Sequence, residues 1–294
     1  MPWQTLLQRR DRLTASSDLR EGFATLLREL GTVTPFELAV AGGRLMATPG
    51  LAFLVGYQAA LRMLWPSAPL SLGALCATER RSLRAADMQT RLNDLRLSGR
   101  KDFVTAGDAA DWLLVAARSE APGTDPRLSL AVVYPGEPGV QVETLPPMPL
   151  MPDIHHGRLV LDHALCELLA GDGWDAYVKP FRTLEDLYVL SAMGAWLYGV
   201  GQDCDWPQAL QLRLLALLAG CAEVSRQAPS NPAGHVLLGG LFAQFDGLKA
   251  EVNQALADGP PQWAAMWQRD QAVMDLAAGA RAKRLAKALA MAAG

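Results

Sequence analysis

Apolar residues along this chain recur first at helical spacing, then at strand spacing, then at helical spacing again. Ser17 or Asp18 can cap a first helix that carries Leu19, Phe23, Leu26, Leu27 and Leu30 on one face, with Gly31 as its stop. Thr34-Pro35-Phe36-Glu37 opens a second. It has a cap residue, a proline at the first helical position and a glutamate at the third, which is the capping-box arrangement. Pro49-Gly50 is expected to break that helix. From Leu51 to Leu64 apolar residues fill nearly every face, with only Gln58 and Arg62 polar, so a third helix should be buried between neighbours until Trp65-Pro66-Ser67-Ala68-Pro69 ends it.

After Pro69 the period shortens to two for about one hundred residues. Strands are expected to end at Ala77-Thr78-Glu79, to close with Leu95-Arg96-Leu97-Ser98-Gly99, to occupy Phe103-Val104-Thr105, and to run from Trp112 to Ala117. Leu128 to Tyr134, the turn Pro135-Gly136-Glu137-Pro138-Gly139 and Val140 to Leu145 read as a hairpin, and Arg158 to Asp162 as the last strand. From Cys166 the helical period returns. Thr183-Leu184-Glu185-Asp186 has the form of a cap with acids behind it, opening a helix to Val200 that is apolar on two sides. Trp206 to Arg226, about His235 to Leu256, and Trp263 to Ala292 with a bend near Gly279 complete four antiparallel helices, a bundle. The expected architecture is α+β and multidomain: helices over 1–70, an antiparallel β-barrel or sandwich over 71–165, and a four-helix bundle over 166–294.

The chain has 294 residues, half of them apolar, enough for a substantial core. Its 27 Lys and Arg against 30 Asp and Glu give a net charge of -3, and neither terminus carries a long basic run, so no electrostatic footprint for nucleic acid exists beyond small local patches. Cys76, Cys166, Cys204 and Cys221 are too widely spaced for a zinc knuckle or a disulfide framework; free thiols in a reducing cytoplasm are expected. The start MPWQTLLQRRDR lacks the apolar core of a signal peptide. The richest apolar run, Leu210 to Ala219, is interrupted by Arg213 and too short to span a bilayer.

The stretch from Leu75 to Glu120 resembles the flavin-binding β-domain of the acyl-CoA dehydrogenases. That family's T-E-P-G-A-G-S-D loop has its counterpart in Thr78-Glu79, and its N-G-x-K-x-W-I-(S/T)-N stretch in Ser98-Gly99-Arg100-Lys101-Asp102-Phe103-Val104-Thr105. The buried helix before the strands and the bundle after them fit the same resemblance, with the family's first helical domain shortened here. The resemblance implies FAD as cofactor, an acyl-CoA or other acyl thioester as substrate, and assembly into a homodimer or larger through the bundle. It places Thr78, Phe103, Val104 and Thr105 along the flavin.

Two departures bear on that chemistry. Where the family has P-G-A-G-S-D, this chain has Arg80-Arg81-Ser82-Leu83-Arg84, so the glycines that let backbone amides approach a pyrophosphate are gone and Ser82 alone remains of the donor set. The base that the family carries in a late Y-E-G-T stretch falls on Ala278, and no glutamate follows Glu251. Other family members carry the base on the first bundle helix, at the level of Glu185 or Asp186; helix capping competes as the explanation of both acids. His155 and His156 have no ligand partners at metal spacing, so a surface or loop role is expected and no metal. Arg281, Lys283, Arg284 and Lys287 can bind a phosphate or simply complement the final helix dipole. Two readings stay open: an acyl-CoA dehydrogenase-like flavoenzyme, or a non-catalytic binding or assembly module that keeps the fold beside a full-length dehydrogenase.

Overall fold

The computed structural model describes residues 3–9, 11–121 and 123–292; the first two residues and Ala293 of the Ala-rich end lie outside them. Helices α1 (Trp3–Leu6), α2 (Leu19–Leu30), α3 (Pro35–Leu45) and α4 (Pro49–Leu64) come first. The Asp18 carboxylate accepts the amides of Arg20 and Glu21 to start α2, and Gly31 ends it at φ 64°. Thr34 and Glu37 form the reciprocal capping box of α3. Pro49 does not break α3, which has already ended at Leu45. It occupies the first turn of α4, where a missing amide costs nothing, behind a Thr48 cap.

The strands are β1 (Gly73–Cys76), β2 (Arg91–Asn93), β3 (Arg96–Thr105), β4 (Trp112–Arg118), β5 (Leu128–Val133), β6 (Val140–Thr144), β7 (His156–Leu165) and β8 (Glu167–Leu168). They hydrogen-bond in the order β6-β7-β3-β2-β4-β5-β8, with β1 also on β4. Because β7 runs almost directly into β8, one stretch of chain pairs with β3 at its start and β5 at its end, and the sheet curls round on itself. Three expectations are corrected. The Leu95–Gly99 and Phe103–Thr105 segments are one ten-residue strand. β5 and β6 form no hairpin; the turn between them carries the chain across to pair with β7. The sheet is mixed, since β1 and β2 both run parallel to β4.

Strand β4 is apolar at nearly every position because both its faces are covered. Leu113, Val115 and Ala117 point into the barrel, where they meet Cys76, Leu97 and Val133, while Trp112, Leu114 and Ala116 join the core shared with the helices. The exposed edge of β1 is satisfied by α4. Gln58, fully buried, pairs both its amide groups with the backbone of Gly73, and the Tyr57 hydroxyl accepts the amide of Leu75.

The second helical region starts earlier than expected. Asp172 caps a turn of π-helix at Gly173–Val178 that runs straight into α5 (Lys179–Asp203), so Thr183 caps nothing and Glu185 and Asp186 lie in the helix interior. Helices α6 (Gln208–Val224) and α7 (Pro232–Ala257) follow, and the expected long last helix is divided into α8 (Pro261–Asp270), a 3-10 turn (Gln271–Asp275) and α9 (Ala278–Ala292). Helices α3 and α4 press so closely on α5 that Gly43 and Gly56 stand against the backbone of Ala192 and Tyr188, where a Cβ would collide. Among the described residues no helix is long and apolar enough to cross a membrane.

Candidate functional site

A cavity of about 260 Å³ opens where the barrel rim meets α4, α5, α7 and the segment that links α8 to α9. Its barrel side begins with an irregularity. Between Lys101↔Leu159 and Val104↔Gly157 strand β3 carries one extra residue relative to β7, a bulge that turns Phe103 toward the cavity. Alternation then separates the three residues expected along a cofactor. Phe103 and Thr105 line the cavity, while the Val104 side chain is fully buried inside the barrel, so its expected place in the lining is corrected.

Thr78, two residues past the end of β1, lines the cavity too. Its neighbour Glu79 turns inward and forms a buried ion pair with Lys101 at 2.6 Å, while accepting the amides of Gln89 and Thr90. The two segments that carry the resemblance are thus fastened together by side chains that never reach the cavity. Arg80 and Arg81 form the tip of a two-residue turn closed by Glu79 and Ser82, both at positive φ (50° and 62°), where glycine or asparagine is the usual occupant. Ser82 does not face the cavity, against expectation: its hydroxyl donates to Asp87 at 2.6 Å and accepts the amide of Arg84, and Leu83 lines the wall in its place.

On the helical side Glu185 and Asp186 both border the cavity but differ in every other respect. Asp186 is buried and ion-paired to Arg281 at 3.0 Å and to Arg284. Burial, the largest influence, raises its carboxyl above the ordinary aspartate range, and the two guanidiniums pull against that rise. These contacts give Arg281 and Arg284 a role neither expectation named: they latch α9 to α5. Glu185, half-buried, has no hydrogen bond and no cation within 4 Å among the described residues. Burial, and then the adjacent Asp186, push its carboxyl up to about 7, against the pull of Arg182 and Arg284. Burial raises the phenol of Tyr57, on the facing wall, with Glu185 adding to the effect. The late carboxylates are elsewhere. Asp270 accepts the amide of Met151 at 2.9 Å and pairs with Arg269, and Asp275 pairs with Lys249.

His156 was missed as a lining residue. It opens β7 directly opposite Thr105, is buried, and packs on Phe103 with ring centroids 4.4 Å apart. Desolvation lowers it to about 4, so it is neutral near pH 7, and its Nδ1 is buried without a partner among the described residues. His155 is half exposed, 3.7 Å from Asp108 and outside the cavity. Among the described residues no cluster of His, Cys, Asp or Glu could hold a metal ion.

No family model matches the chain, and no curated protein does. Solved structures do. Over 99% of this chain and 93% of its own, FkbI for biosynthesis of the methoxymalonyl extender unit of Fk520 superposes with TM-score 0.65 at 20% identity. Butyryl-CoA dehydrogenase from Megasphaera elsdenii does so over 97% and 93% (TM-score 0.64, 13% identity). FMN-bound TdsC from Paenibacillus sp. A11-2 does so over 97% and 94% (TM-score 0.67, 16% identity). The chain has the acyl-CoA dehydrogenase-like fold.

Proposed function

We propose that this chain is a flavin-dependent oxidoreductase acting on the CH–CH group of an acyl thioester, with Glu185 as the base that takes the α-proton. The observation that carries the reading is the lone carboxyl of Glu185 in a largely apolar cavity. It has no structural partner to satisfy, the helix cap that competed for it lies at Asp172, and burial brings it to about 7, near the pH where a general base works best. Bound flavin would supply a hydride acceptor.

The lining fits the ring end of such a group. Phe103 offers an aromatic face, Thr78 and Thr105 offer hydroxyls, and the unpartnered Nδ1 of His156 offers a hydrogen-bonding site. A cavity of about 260 Å³ is near the lower end of small-molecule sites, which begin at ~300 Å³. The phosphate end fits less well: Ser82 is engaged by Asp87, and Arg80 and Arg81 replace a glycine cradle. That same loop favours a second reading, a non-catalytic binding or assembly module beside a full-length dehydrogenase.

Visible absorption and acyl-CoA-dependent dye reduction test both. The expected result is weak flavin colour after gel filtration, saturable binding of added FAD, and turnover that falls about 10²-fold or more in Glu185→Gln. Absence of flavin binding at any FAD concentration leaves the module reading, and unchanged turnover in Glu185→Gln removes Glu185 as base.

A further inference from the structure

Three guanidiniums and two carboxyls meet where α5 faces α9, and their pairing is uneven. Asp186 takes both Arg281 and Arg284. Arg281 is further fixed by donating to the carbonyl of Met274 and by lying 3.9 Å over the ring of Phe242. Arg182, one helical turn before Glu185, lines the same cavity, yet among the described residues it makes no hydrogen bond and has no carboxylate within 4 Å. Phe53, Phe181, Met151 and Val189 line the same cavity. Arg182 is half-buried with its guanidinium unclaimed by any described side chain, so it is free to pair with an anion that enters the cavity.

We infer, on the acyl thioester reading above, that the substrate's acyl chain carries its own carboxylate and that Arg182 pairs with it. The planar fork of a guanidinium matches a carboxylate through two parallel hydrogen bonds. Arg182 and Glu185 stand at i and i+3 on α5, which sets their Cβ atoms ~5–6 Å apart. A carboxylate held by Arg182 therefore lies within a few carbons of the proton that Glu185 takes, so the class is a short dicarboxylic acyl thioester. The latch reinforces the selection, because three guanidiniums against Asp186 and a Glu185 poised near neutrality leave a surplus of positive charge.

Calorimetry with glutaryl-CoA and butyryl-CoA on the full chain, with saturating FAD, tests this. Glutaryl-CoA is expected to bind at least 10-fold more tightly. Arg182→Met should erase the preference, through a loss confined mainly to glutaryl-CoA, and Arg182→Lys should retain part of it; melting curves report whether each variant is folded. Equal affinity of the two thioesters for the unaltered chain, or a preference that survives Arg182→Met, overturns the inference. If neither thioester binds, the acyl thioester reading itself fails, and the carboxylate inference is then decided by butyrate against butyramide: preference for butyrate that depends on Arg182 supports it, and equal or absent binding of the two overturns it.

Discussion

Replacing Glu185 by Gln separates a buried acid that serves chemistry from one that serves stability, because the structure predicts a change whose sign depends on pH. The carboxyl is moved from its ordinary 4.5 to about 7 by folding, chiefly through burial. Below pH 4.5 it is protonated in both folded and unfolded chains and contributes no pH dependence. Between 4.5 and 7 the unfolded chain releases the proton while the folded chain keeps it, so stability falls as pH rises. At 1.36 kcal/mol per pH unit the full loss above pH 7 is about 3 kcal/mol, and about 2 after allowing for water that reaches this half-buried group. Glutamine keeps the shape and does not ionise. Glu185→Gln should thus melt with the parent at pH 4.5 and above it at pH 8, by about 3 °C for a chain of 294 residues. A helix-capping role would give the opposite sign, a variant less stable at neutral pH. Melting temperatures of the two proteins from pH 4.5 to 8.5 settle the matter. Parallel curves would falsify the assignment of an unpaired, buried Glu185.

The buried Glu79–Lys101 pair should behave as a fastener. Lys101→Met leaves a carboxylate buried alone and is expected to cost about 3–5 kcal/mol in denaturant unfolding, of which Glu79→Gln in the same chain restores at least half; equal instability of single and double variants would show that the lysine acts through packing. Self-association is expected from the large apolar side chains left exposed on α6, α7 and α9, among them Leu212, Leu237, Leu289 and Met291. Light scattering should give a homodimer or larger, and a mass of 31.6 kDa across a wide concentration range would refute it.

The features of the fold that were legible in the sequence are those set by neighbours in the chain. Asp18, Gly31, Thr34 and Glu37 announced the limits of α2 and α3 because caps act over three or four residues. The misread helix start has the same origin. Thr183 to Asp186 imitates a capping box, while the true cap, Asp172, sits before a π-turn whose pattern does not follow the 3.6 period. Strand partners were less accessible: the turn at Pro135–Gly139 looks like a hairpin, but the partner of β6 is fixed by closure of the sheet. Gly157, lacking a side chain, hid the alternation that makes His156 the first residue of β7. The inward position of Val104 was legible from period two alone. The latch was not, because Asp186 meets Arg281 and Arg284 across 95 and 98 residues of chain.

The seating of Gly43 and Gly56 against the α5 backbone constrains how this chain can change over generations. A helix whose two neighbours rest on its main chain cannot slide or turn to absorb an inserted residue, and one added position rotates everything beyond it by ~100°. An insertion between Asp186 and Tyr188, ahead of those seats, would swing Arg182, Glu185 and Asp186 off the cavity together, or else break the contact with α3 and α4. Point substitutions at the cavity are therefore open to drift one side chain at a time. Length changes in the first half of α5 are not, and variation in the size of the site must come from the barrel loops and from the joint between α8 and α9.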